Sequence, residues 1–357
     1  MMVLHVLGSD AAGFAPSRLR RLVGRWRTDA RHLAIAAAGG HAQVAAQLEG
    51  TGVARVDPCP PLSGPPSVRR YRALADVLRQ ADLILTYGYG AVDALIARRI
   101  FARDLPPLIH HEGVEDDVPG GRAIERRLVR RLALRAAFAV VVPSRSLRAR
   151  ATGDWRVAAE RVHVFPDGID TARARPRPLI ARRRGEFVVA TIAELTAEAR
   201  LAELIRAVAP IPNARLVIAG GGGEGAALGA AAGALGMSDR LMLPGVVRDP
   251  AALLAGADLY VQPPGRAATE AQPLLEAMAA GLPVVAAPVG EVATLLAPEN
   301  APLLVDHTGY AATIMRIAGD GAARRAIGVA NRRRAEEQFD ADRLADAQIA
   351  VYEAALA

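Results

Sequence analysis

The chain has 357 residues and a mass of 37.4 kDa, and all 44 of its basic residues are arginine. The absence of lysine excludes lysine Schiff-base enzymes, and it excludes the phosphate-binding lysine of P-loop and kinase sites. Any phosphate bound here must therefore be held by arginine, by backbone N–H groups or by helix N-termini.

Charge is divided unevenly along the chain. Residues 1–185 carry 31 arginines and 17 acidic residues, a net charge of +14, whereas residues 186–357 carry 13 and 20, a net charge of −7. Length and asymmetry together predict two domains that face different partners. The sequence has no apolar run of 18 residues, no basic stretch before its apolar N-terminus and a single cysteine, Cys59. We therefore expect a cytoplasmic protein without a transmembrane helix, a signal peptide or disulfides.

In the first half, short apolar runs alternate with helical stretches. The pattern predicts, in chain order, a strand at 3–7, a helix at 17–31, strands at 33–38, 83–87, 107–111 and 139–143, and helices at 68–80 and 121–135. A proline-rich and arginine-rich segment at 164–185 is typical of an interdomain linker.

The same rhythm restarts in the second half. Strands are predicted at 187–192, 215–219, 241–243, 259–262 and 283–286, and helices at 199–209, after the glycines at 220–223, at 250–255, at 273–280 and at 341–356. Alternating strands and helices predict an α/β fold with a doubly wound parallel sheet in each half and a ligand cleft between them. We expect domains at 1–170 and 187–338, a linker at 171–186, and a C-terminal helix at 339–357 that returns to the first domain.

The segment from Glu270 to Pro283 carries the most specific signal. Gln272, Pro273 and Leu274 lie where a loop enters a helix, Glu276 follows in the first turns, and Gly281 ends the helix. A carboxylate there can accept hydrogen bonds from two vicinal hydroxyls of a ribose, while free N–H groups at the helix start face an anion. The alternative is that Glu276 is an ordinary acid that stabilises a helix N-terminus.

This segment resembles the nucleotide-sugar site of family 4 glycosyltransferases, which have the GT-B fold. Further stretches agree in order and spacing: Asp-Ala-Ala-Gly at 10–13, Thr-Tyr-Gly-Tyr-Gly at 86–90, His-His-Glu-Gly at 110–113, Val-Val-Val-Pro-Ser at 140–144, Pro-Asp-Gly-Ile-Asp at 166–170, Leu-Val-Ile-Ala-Gly at 216–220 and Leu-Pro-Gly at 243–245. The resemblance covers nearly the whole chain. It implies sugar transfer from a nucleotide sugar with retention of configuration, and no metal or cofactor.

The resemblance assigns the donor site residue by residue. Glu276 matches the glutamate that holds the ribose, and Gly13, Gly220 and Gly245 match glycines of the donor site. The family's first glutamate is expected eight residues before Glu276, where this chain has Ala268. Either the loop is two residues shorter and Glu270 contacts the donor sugar, which we favour, or that contact is absent.

A second departure concerns the donor diphosphate. The family usually has an arginine and then a lysine after the first strand of the second domain, and this chain has Glu194 and Ala199 there. A diphosphate without a cationic partner is costly to bind. Arg200 or Arg266 must replace the missing cations, or activity is lost.

In the first domain, His111 ends a predicted strand beside the expected cleft, where the family commonly has a histidine near the donor sugar and the acceptor. We expect it to act as a polar contact or proton relay. Glu112 is either an acceptor-side base or the group that orients His111. Asp340 and Asp342 form an Asp-x-Asp string at the start of the last helix, where helix capping is a better interpretation than metal binding.

Two arginine-rich helices admit two interpretations. Leu19, Leu22, Val23 and Trp26 share one helical face, as do Ile124, Leu128 and Leu132 in a later helix. These stripes either face the core with solvated arginines around them, or the arginines contact an anionic membrane surface or acceptor. The arginines in question are Arg18, Arg21, Arg25, Arg126, Arg127 and Arg130. Without interleaved aromatic residues, nucleic-acid binding is not expected.

The sequence therefore predicts a glycosyltransferase that acts on a lipid-linked or envelope-glycan acceptor, in the cytoplasm or at the inner face of the membrane. The alternative is a catalytically decayed GT-B protein that binds a glycan or a partner enzyme. A GT-B sugar-nucleotide epimerase fits the linker and glutamate segments less well.

Overall fold

The computed structural model describes residues 1–8, 16–26, 29–36, 48–55, 62, 64–101, 105–113, 122–172, 177–263, 265 and 271–357. These form two compact units. Unit 1 comprises Met1–Gly168 and Asp342–Ala357, and unit 2 comprises Ile169–Ala341. Each unit is built around one parallel sheet, so the predicted pair of Rossmann-like halves is confirmed.

Unit 1 holds a seven-stranded sheet in the order β3-β2-β1-β4-β5-β6-β7. The strands are β1 (Met2–Leu7), β2 (Arg31–Ala36), β3 (Val53–Arg55), β4 (Leu83–Tyr87), β5 (Leu108–His111), β6 (Ala139–Val142) and β7 (Val162–Val164). Its first helices are α1 (Pro16–Arg25), α2 (Val68–Leu78), α3 (Val92–Ile100), α4 (Arg122–Ala133) and α5 (Arg145–Gly153). The strand order reverses between β1 and β4, which makes this point of the carboxyl edge the switch point where such sheets bind ligands.

Unit 2 holds a five-stranded parallel sheet in the order β10-β9-β8-β11-β12. The strands are β8 (Phe187–Ile192), β9 (Ala214–Ala219), β10 (Leu241–Gly245), β11 (Leu259–Val261) and β12 (Val284–Val285). The helices are α6 (Leu201–Val208), α7 (Gly225–Ala234), α8 (Pro250–Leu254), α9 (Ala271–Ala279), α10 (Val292–Leu295), α11 (Tyr310–Gly319) and α12 (Gly321–Gln338), and α13 (Ala341–Leu356) follows. No helix in the described part of the chain is both long and apolar enough to span a membrane.

The segment after β6 differs most from the sequence prediction. Ser144 caps α5 by accepting a hydrogen bond from the Leu147 backbone N–H at 3.0 Å, although this arginine-rich stretch has a weak apolar pattern. Val162–Val164 pairs with β6, so the residue at which the proline-rich segment was expected to start belongs to a strand. Further on, Ile180 is 3% exposed in the core of unit 2, and the Leu179 backbone N–H donates to the Ala252 carbonyl at 2.8 Å. The end of the proline-rich segment is therefore packed structure.

Helix α1 confirms the core-facing interpretation of its stripe. Leu19, Leu22 and Trp26 are all buried in the core of unit 1. The neighbouring arginines bind the last helix: Arg18 donates to the Gln348 side chain at 3.1 Å, Arg21 pairs with Asp342 at 2.6 Å, and Arg25 pairs with Asp346 at 2.6 Å. These three arginines hold α13 on unit 1, and their contact with a membrane surface stays a prediction.

Helix α4 behaves in the opposite way. Ile124, Leu128 and Leu132 are 75%, 56% and 46% exposed, so the core-facing interpretation of this stripe is wrong. Arg130 is 5% exposed and pairs with the buried Glu112 carboxylate at 2.9 Å. A buried guanidinium without its anion is strongly destabilising, and this ion pair turns the arginine inward and the apolar stripe outward.

A buried pair of amides fixes the helix that carries Glu276. The Asn331 side chain of α12 donates to the Leu282 carbonyl just after α9 and to Asn300 Oδ1, both at 2.9 Å. Its Oδ1 accepts from the Ala297 backbone N–H at 3.1 Å. Asn300 in turn bonds both backbone groups of Val284 in β12. The end of α9 is thereby tied to α12 and to the edge of the sheet.

Asn331→Ala should lower the free energy of unfolding by about 2–4 kcal/mol, because it leaves buried backbone and amide groups without partners. Urea unfolding followed by circular dichroism measures the change. Arg333→Ala, on the exposed face of the same helix, is the matched control and should stay within about 0.5 kcal/mol of the parent. Equal losses in the two variants would contradict the role given to Asn331.

Candidate functional site

The carboxyl edge of the five-stranded sheet gathers three connections. Residues 193–200 follow β8, residues 220–224 follow β9, and the loop after β11 begins at 262. Because the strand order reverses between β8 and β11, this edge is the switch point of unit 2, where ligands bind in sheets of this kind.

The first two connections are in direct backbone contact. The Leu195 N–H donates to the Gly221 carbonyl at 2.7 Å, and the Glu224 N–H donates to the Leu195 carbonyl at 3.1 Å. Gly220 has a φ of +151°, and a Cβ added there would collide with the Ala193 carbonyl oxygen. Only glycine fits such a position. The Gly220 N–H also donates to the Gly245 carbonyl at 2.9 Å, so the structure brings two predicted donor-site glycines together.

The third connection meets the first at Gly265. A Cβ at this position would collide with the Glu198 carbonyl oxygen and crowd the Ala199 backbone. The loop after β11 therefore lies against the turn that precedes α6. Sequence reasoning missed Gly265, although the glycine between Pro264 and Arg266 was a visible signal. Arg266 and Glu270 lie outside the described residues.

Arg200 occupies an unusual backbone conformation at this edge. Its φ of 56° and ψ of 34° place a non-glycine residue in the left-handed region immediately before α6. Its guanidinium donates to the Glu203 carboxylate at 2.8 Å, and the side chain stays 40% exposed. Ala199 is 2% exposed, and Glu194 is exposed. Arg200 is therefore the one cation that the connection after β8 supplies.

Glu276 lies deeper in its helix than the sequence suggested. Helix α9 begins at Ala271, so Glu276 is in the second turn and not in the first, and the interpretation as a first-turn acid is wrong. Burial raises the pKa of its carboxyl, the Gln272 amide at 3.3 Å opposes this rise, and the charge of Asp249 adds to it. A half-buried carboxylate with one exposed amide partner can accept hydrogen bonds from hydroxyl groups of a ligand.

The residues beside Glu276 differ in what they can offer. The Leu274 side chain is fully buried in the core of unit 2, so only the backbone of this residue is available to a donor, and its expected contact stays a prediction. Pro273 has no N–H and is half-buried, whereas Gln272 is exposed. Among these three, Gln272 presents a polar side chain at the surface.

In unit 1, His111 ends β5 but faces the interior. Its ring stacks on Tyr87 with centroids 4.6 Å apart. Nδ1 lies 3.2 Å from the Thr86 carbonyl, and Nε2 lies 2.7 Å from the Tyr352 hydroxyl of α13. Burial, Arg18 and His110 together hold the pKa of His111 well below its usual value. The histidine is neutral at physiological pH, and both ring nitrogens contact the protein, so it holds α13 on the sheet rather than facing a ligand.

Glu112 is also used inside unit 1. Its carboxylate pairs with Arg130 at 2.9 Å and with His110 Nε2 at 3.5 Å, and not with His111. Burial acts to raise the pKa of Glu112, but the hydrogen bonds and charges of His110 and Arg130 outweigh it and hold the pKa below its usual value. A carboxylate in this position is a structural anion, and neither role that we expected for it is compatible with these contacts.

The predicted glycine at 13 lies outside the described residues. At the switch point of unit 1 the structure instead shows Gly8 directly after β1. A Cβ on Gly8 would approach the Gly90 Cα to 2.5 Å, so the backbone after β1 lies against the turn after β4. The glycine spacing at 86–90 pointed to this turn, but the sequence did not show that its partner is Gly8.

No group of three or more His, Cys, Asp or Glu side chains is placed to hold a metal ion within the described residues. Asp340 accepts a hydrogen bond from the Thr171 hydroxyl, and Asp342 pairs with Arg21 and with Arg25. The two acids of the Asp-x-Asp string therefore serve separate structural contacts.

Two family models match the chain. Residues 18–173 match the model described as Glycosyltransferase Family 4, and residues 176–334 match the model described as Glycosyl transferases group 1. A curated relative is the lipopolysaccharide core biosynthesis glycosyltransferase LpsD of Rhizobium meliloti (strain 1021), which is 26% identical over 230 residues. That alignment covers 61% of this chain and 63% of the relative's own length.

Solved structures agree on the fold over nearly the full chain. HepE of Anabaena, crystallised with UDP, is 22% identical with a TM-score of 0.74, and the match covers 99% of this chain and 100% of HepE. A glycosyltransferase from Rickettsia africae ESF-5 is 12% identical with a TM-score of 0.77, covering 99% and 98%. The lipopolysaccharide outer core galactosyltransferase WaaB is 12% identical with a TM-score of 0.67, covering 99% of each chain. The two halves of the chain thus each match a glycosyltransferase family model, and the solved structures show that the fold is GT-B.

A histidine pair beside His111 generates a pH prediction. His5 is buried, with Nδ1 3.0 Å from the Tyr87 hydroxyl and Nε2 3.1 Å from His32 Nδ1. Burial and the charge of His32 lower the pKa of His5 to about 3, and burial lowers that of His32 to about 4. In the unfolded chain each imidazole binds a proton near pH 6.5.

Because protons bind the unfolded chain more tightly than the folded one, the free energy of unfolding should be highest above about pH 6.5. It should fall as the pH decreases toward 4, by up to about 1.4 kcal/mol per pH unit for each histidine. Urea unfolding at a series of pH values measures the slope. His32→Gln should reduce the slope of unfolding free energy against pH by the equivalent of about one bound proton. His307→Gln, on the exposed surface of unit 2, should leave that slope unchanged. An unchanged slope in His32→Gln would show that this imidazole is not held neutral.

Proposed function

We propose that this protein is a retaining, family 4 enzyme that moves a hexosyl group from a nucleotide sugar to a lipid-linked or envelope-glycan acceptor at the cytoplasmic face of the membrane. The observation that carries the donor assignment is the meeting, at one edge of the unit 2 sheet, of three connections: one carries Arg200, one carries Gly220, and the third precedes the helix with Glu276. The similarity to LpsD and WaaB, named for lipopolysaccharide core synthesis, supports the acceptor class. HepE structures with UDP and UDP-glucose support a nucleotide sugar as donor.

Each part of the donor has a matching group. The Glu276 carboxylate accepts hydrogen bonds from the two ribose hydroxyls, which an anion does better than a neutral acid. Backbone N–H groups of residues 221–223, next to Gly220, and of the start of α9 face the phosphates. Glu270 takes the sugar. His111 and Glu112 have no part in this proposal, because both are engaged inside unit 1.

Arg200 supplies the positive charge. As the bond between the anomeric carbon and the diphosphate breaks, negative charge grows on the leaving group, and a guanidinium can bond it in a bidentate manner. Arg200 pairs with a partly exposed carboxylate, Glu203, which a diphosphate can replace as its partner. With arginine and backbone N–H groups on the phosphates, the proposed chemistry requires no metal or cofactor.

One observation favours a second candidate, a decayed GT-B protein that binds a glycan or a partner enzyme. At the positions where the family has two cations, Glu194 is exposed and Ala199 is buried. Calorimetry with UDP and GDP separates the candidates, because a decayed site binds neither nucleotide. Binding in the micromolar range to one of them supports the enzyme.

Glu276→Ala should reduce donor hydrolysis and UDP affinity by about ten- to a hundredfold, because two charge-assisted hydrogen bonds to the ribose are lost. A screen of nucleotide sugars, with release of the nucleoside diphosphate as readout, measures the effect. Glu337→Ala, an exposed acid on α12, is the matched control and should behave like the parent. Equal turnover by all three proteins would refute the donor assignment.

Arg200→Gly separates the guanidinium from the backbone. Glycine adopts the left-handed conformation without strain, so the variant should be at least as stable as the parent, while UDP affinity falls by about tenfold or more. Calorimetry and thermal unfolding provide the two readouts. Arg206→Gly, at an exposed position of α6, should lose about 1 kcal/mol of stability and keep its UDP affinity. Unchanged UDP affinity in Arg200→Gly would exclude Arg200 as the diphosphate cation.

A further inference from the structure

Helix α4 presents an apolar stripe to solvent. Ile124, Leu128 and Leu132 recur every fourth residue, lie on one helical face and are 75%, 56% and 46% exposed. Ile100, at the end of α3, is 52% exposed. The preceding residue, Arg99, donates to the Leu132 carbonyl at 3.1 Å, which places the end of α3 beside the end of the stripe. Contiguous exposed aliphatic side chains of this kind mark an interaction surface.

The interior of unit 1 holds the stripe in this orientation. The Arg130 guanidinium pairs with Glu112 and lies 4.8 Å from the Tyr89 ring centroid and 5.1 Å from that of Trp155. Arg126 also lies 4.8 Å from the Tyr89 centroid. A rotation of α4 that buried the stripe would expose Tyr89 and leave the Glu112 carboxylate buried without its cation, which is strongly unfavourable. The outward stripe is therefore a stable feature of the fold.

Positive charge accompanies the stripe. Helix α4 carries five arginines and one acidic residue, Glu125. Arg127 and Arg131, spaced by four, run along one flank of the stripe, Arg135 follows in the 3-10 turn just after the end of α4, and all three are exposed. Arg127 also pairs with the partly exposed Asp154 at 2.8 Å. Aliphatic side chains bordered by long, exposed cations are the arrangement of helices that lie in a membrane interface.

We propose that this surface, formed by Ile124, Leu128 and Leu132 with the flank of Arg127, Arg131 and Arg135, docks on an anionic lipid bilayer. The helix lies parallel to the membrane plane, the three aliphatic side chains enter the boundary between headgroups and acyl chains, and the guanidinium groups bind lipid phosphates. A second copy of this chain is a poor occupant, because a symmetric contact would set this arginine flank against its own like charges.

The surface differs from the one expected from sequence. Arg18, Arg21, Arg25 and Arg130 are held by partners inside unit 1, and Arg126 covers Tyr89. The docking surface does not depend on the proposed sugar transfer. Lipid binding is measured without donor, and donor hydrolysis is measured without lipid. Failure of the docking proposal is therefore distinguishable from failure of the proposed sugar transfer.

The test is cosedimentation of the full chain with sucrose-loaded vesicles of phosphatidylcholine alone or mixed with phosphatidylglycerol. We expect at least tenfold stronger partitioning onto the anionic vesicles, since each arginine near an anionic surface contributes roughly fivefold. This partitioning should decline as the salt concentration increases. The variant Ile124→Ser/Leu128→Ser/Leu132→Ser should lose about tenfold or more of this binding. Its matched control is Met315→Ser/Val329→Ser, which removes exposed aliphatic side chains from unit 2 (51% and 67% exposed) and should bind as the parent does.

Leu128→Trp supplies a positive readout. The two native tryptophans are both 3% exposed, so a blue shift of emission on adding anionic vesicles reports entry of residue 128 into the bilayer. Circular dichroism checks that every variant is folded. Three outcomes would overturn the proposal: no binding by the parent, equal binding by the triple variant, or no blue shift from the new tryptophan. So would light scattering that shows the parent as an oligomer and the triple variant as a monomer, because the stripe would then be an interface between copies.

Discussion

The candidate donor site depends on close backbone contact at the carboxyl edge of the unit 2 sheet. The connections after β8, β9 and β11 can meet there only because Gly220 and Gly265 have no Cβ to collide with the carbonyl oxygens of Ala193 and Glu198. Hydrogen bonds from Leu195 and Glu224 then hold the first two connections together. This contact fixes where the backbone of residues 193–199 and 220–224 lies. A larger side chain at either glycine would move the whole edge.

The same contact decides where positive charge can be placed. The turn before α6 lies under the Gly265 backbone and buries Ala199, so a long cationic side chain at that position has no room. The next residue, Arg200, adopts a left-handed conformation and emerges beside Glu203 with an exposed guanidinium. A backbone conformation that is costly for arginine is kept at the point where the proposed donor site needs a cation, and strain of this kind is concentrated at functional sites.

In unit 1, buried ion pairs decide which helix faces reach solvent. Helices α1 and α4 have similar compositions, with aliphatic side chains four apart among arginines. Helix α1 meets the acids of α13, so its arginines are used there and its apolar side chains enter the core. Helix α4 meets Glu112 and Tyr89, which bind its arginines on the inner side and turn its apolar stripe outward. The position of one buried carboxylate therefore determines whether a stripe is core or surface.

The local pattern of the sequence determined the two parallel sheets, because a strand that is buried on both faces is a short apolar run whatever surrounds it. It also indicated Gly220, Gly245 and Glu276, which motif spacing places at strand ends and in one helix. The tertiary structure alone decided the rest. Gly265 matters through a carbonyl of residue 198, His111 is turned inward by Tyr352 of the last helix, and Arg130 is buried by Glu112. These contacts join residues that are not neighbours in the chain. Neither hydrophobic periodicity nor motif spacing predicts which of them come together in space.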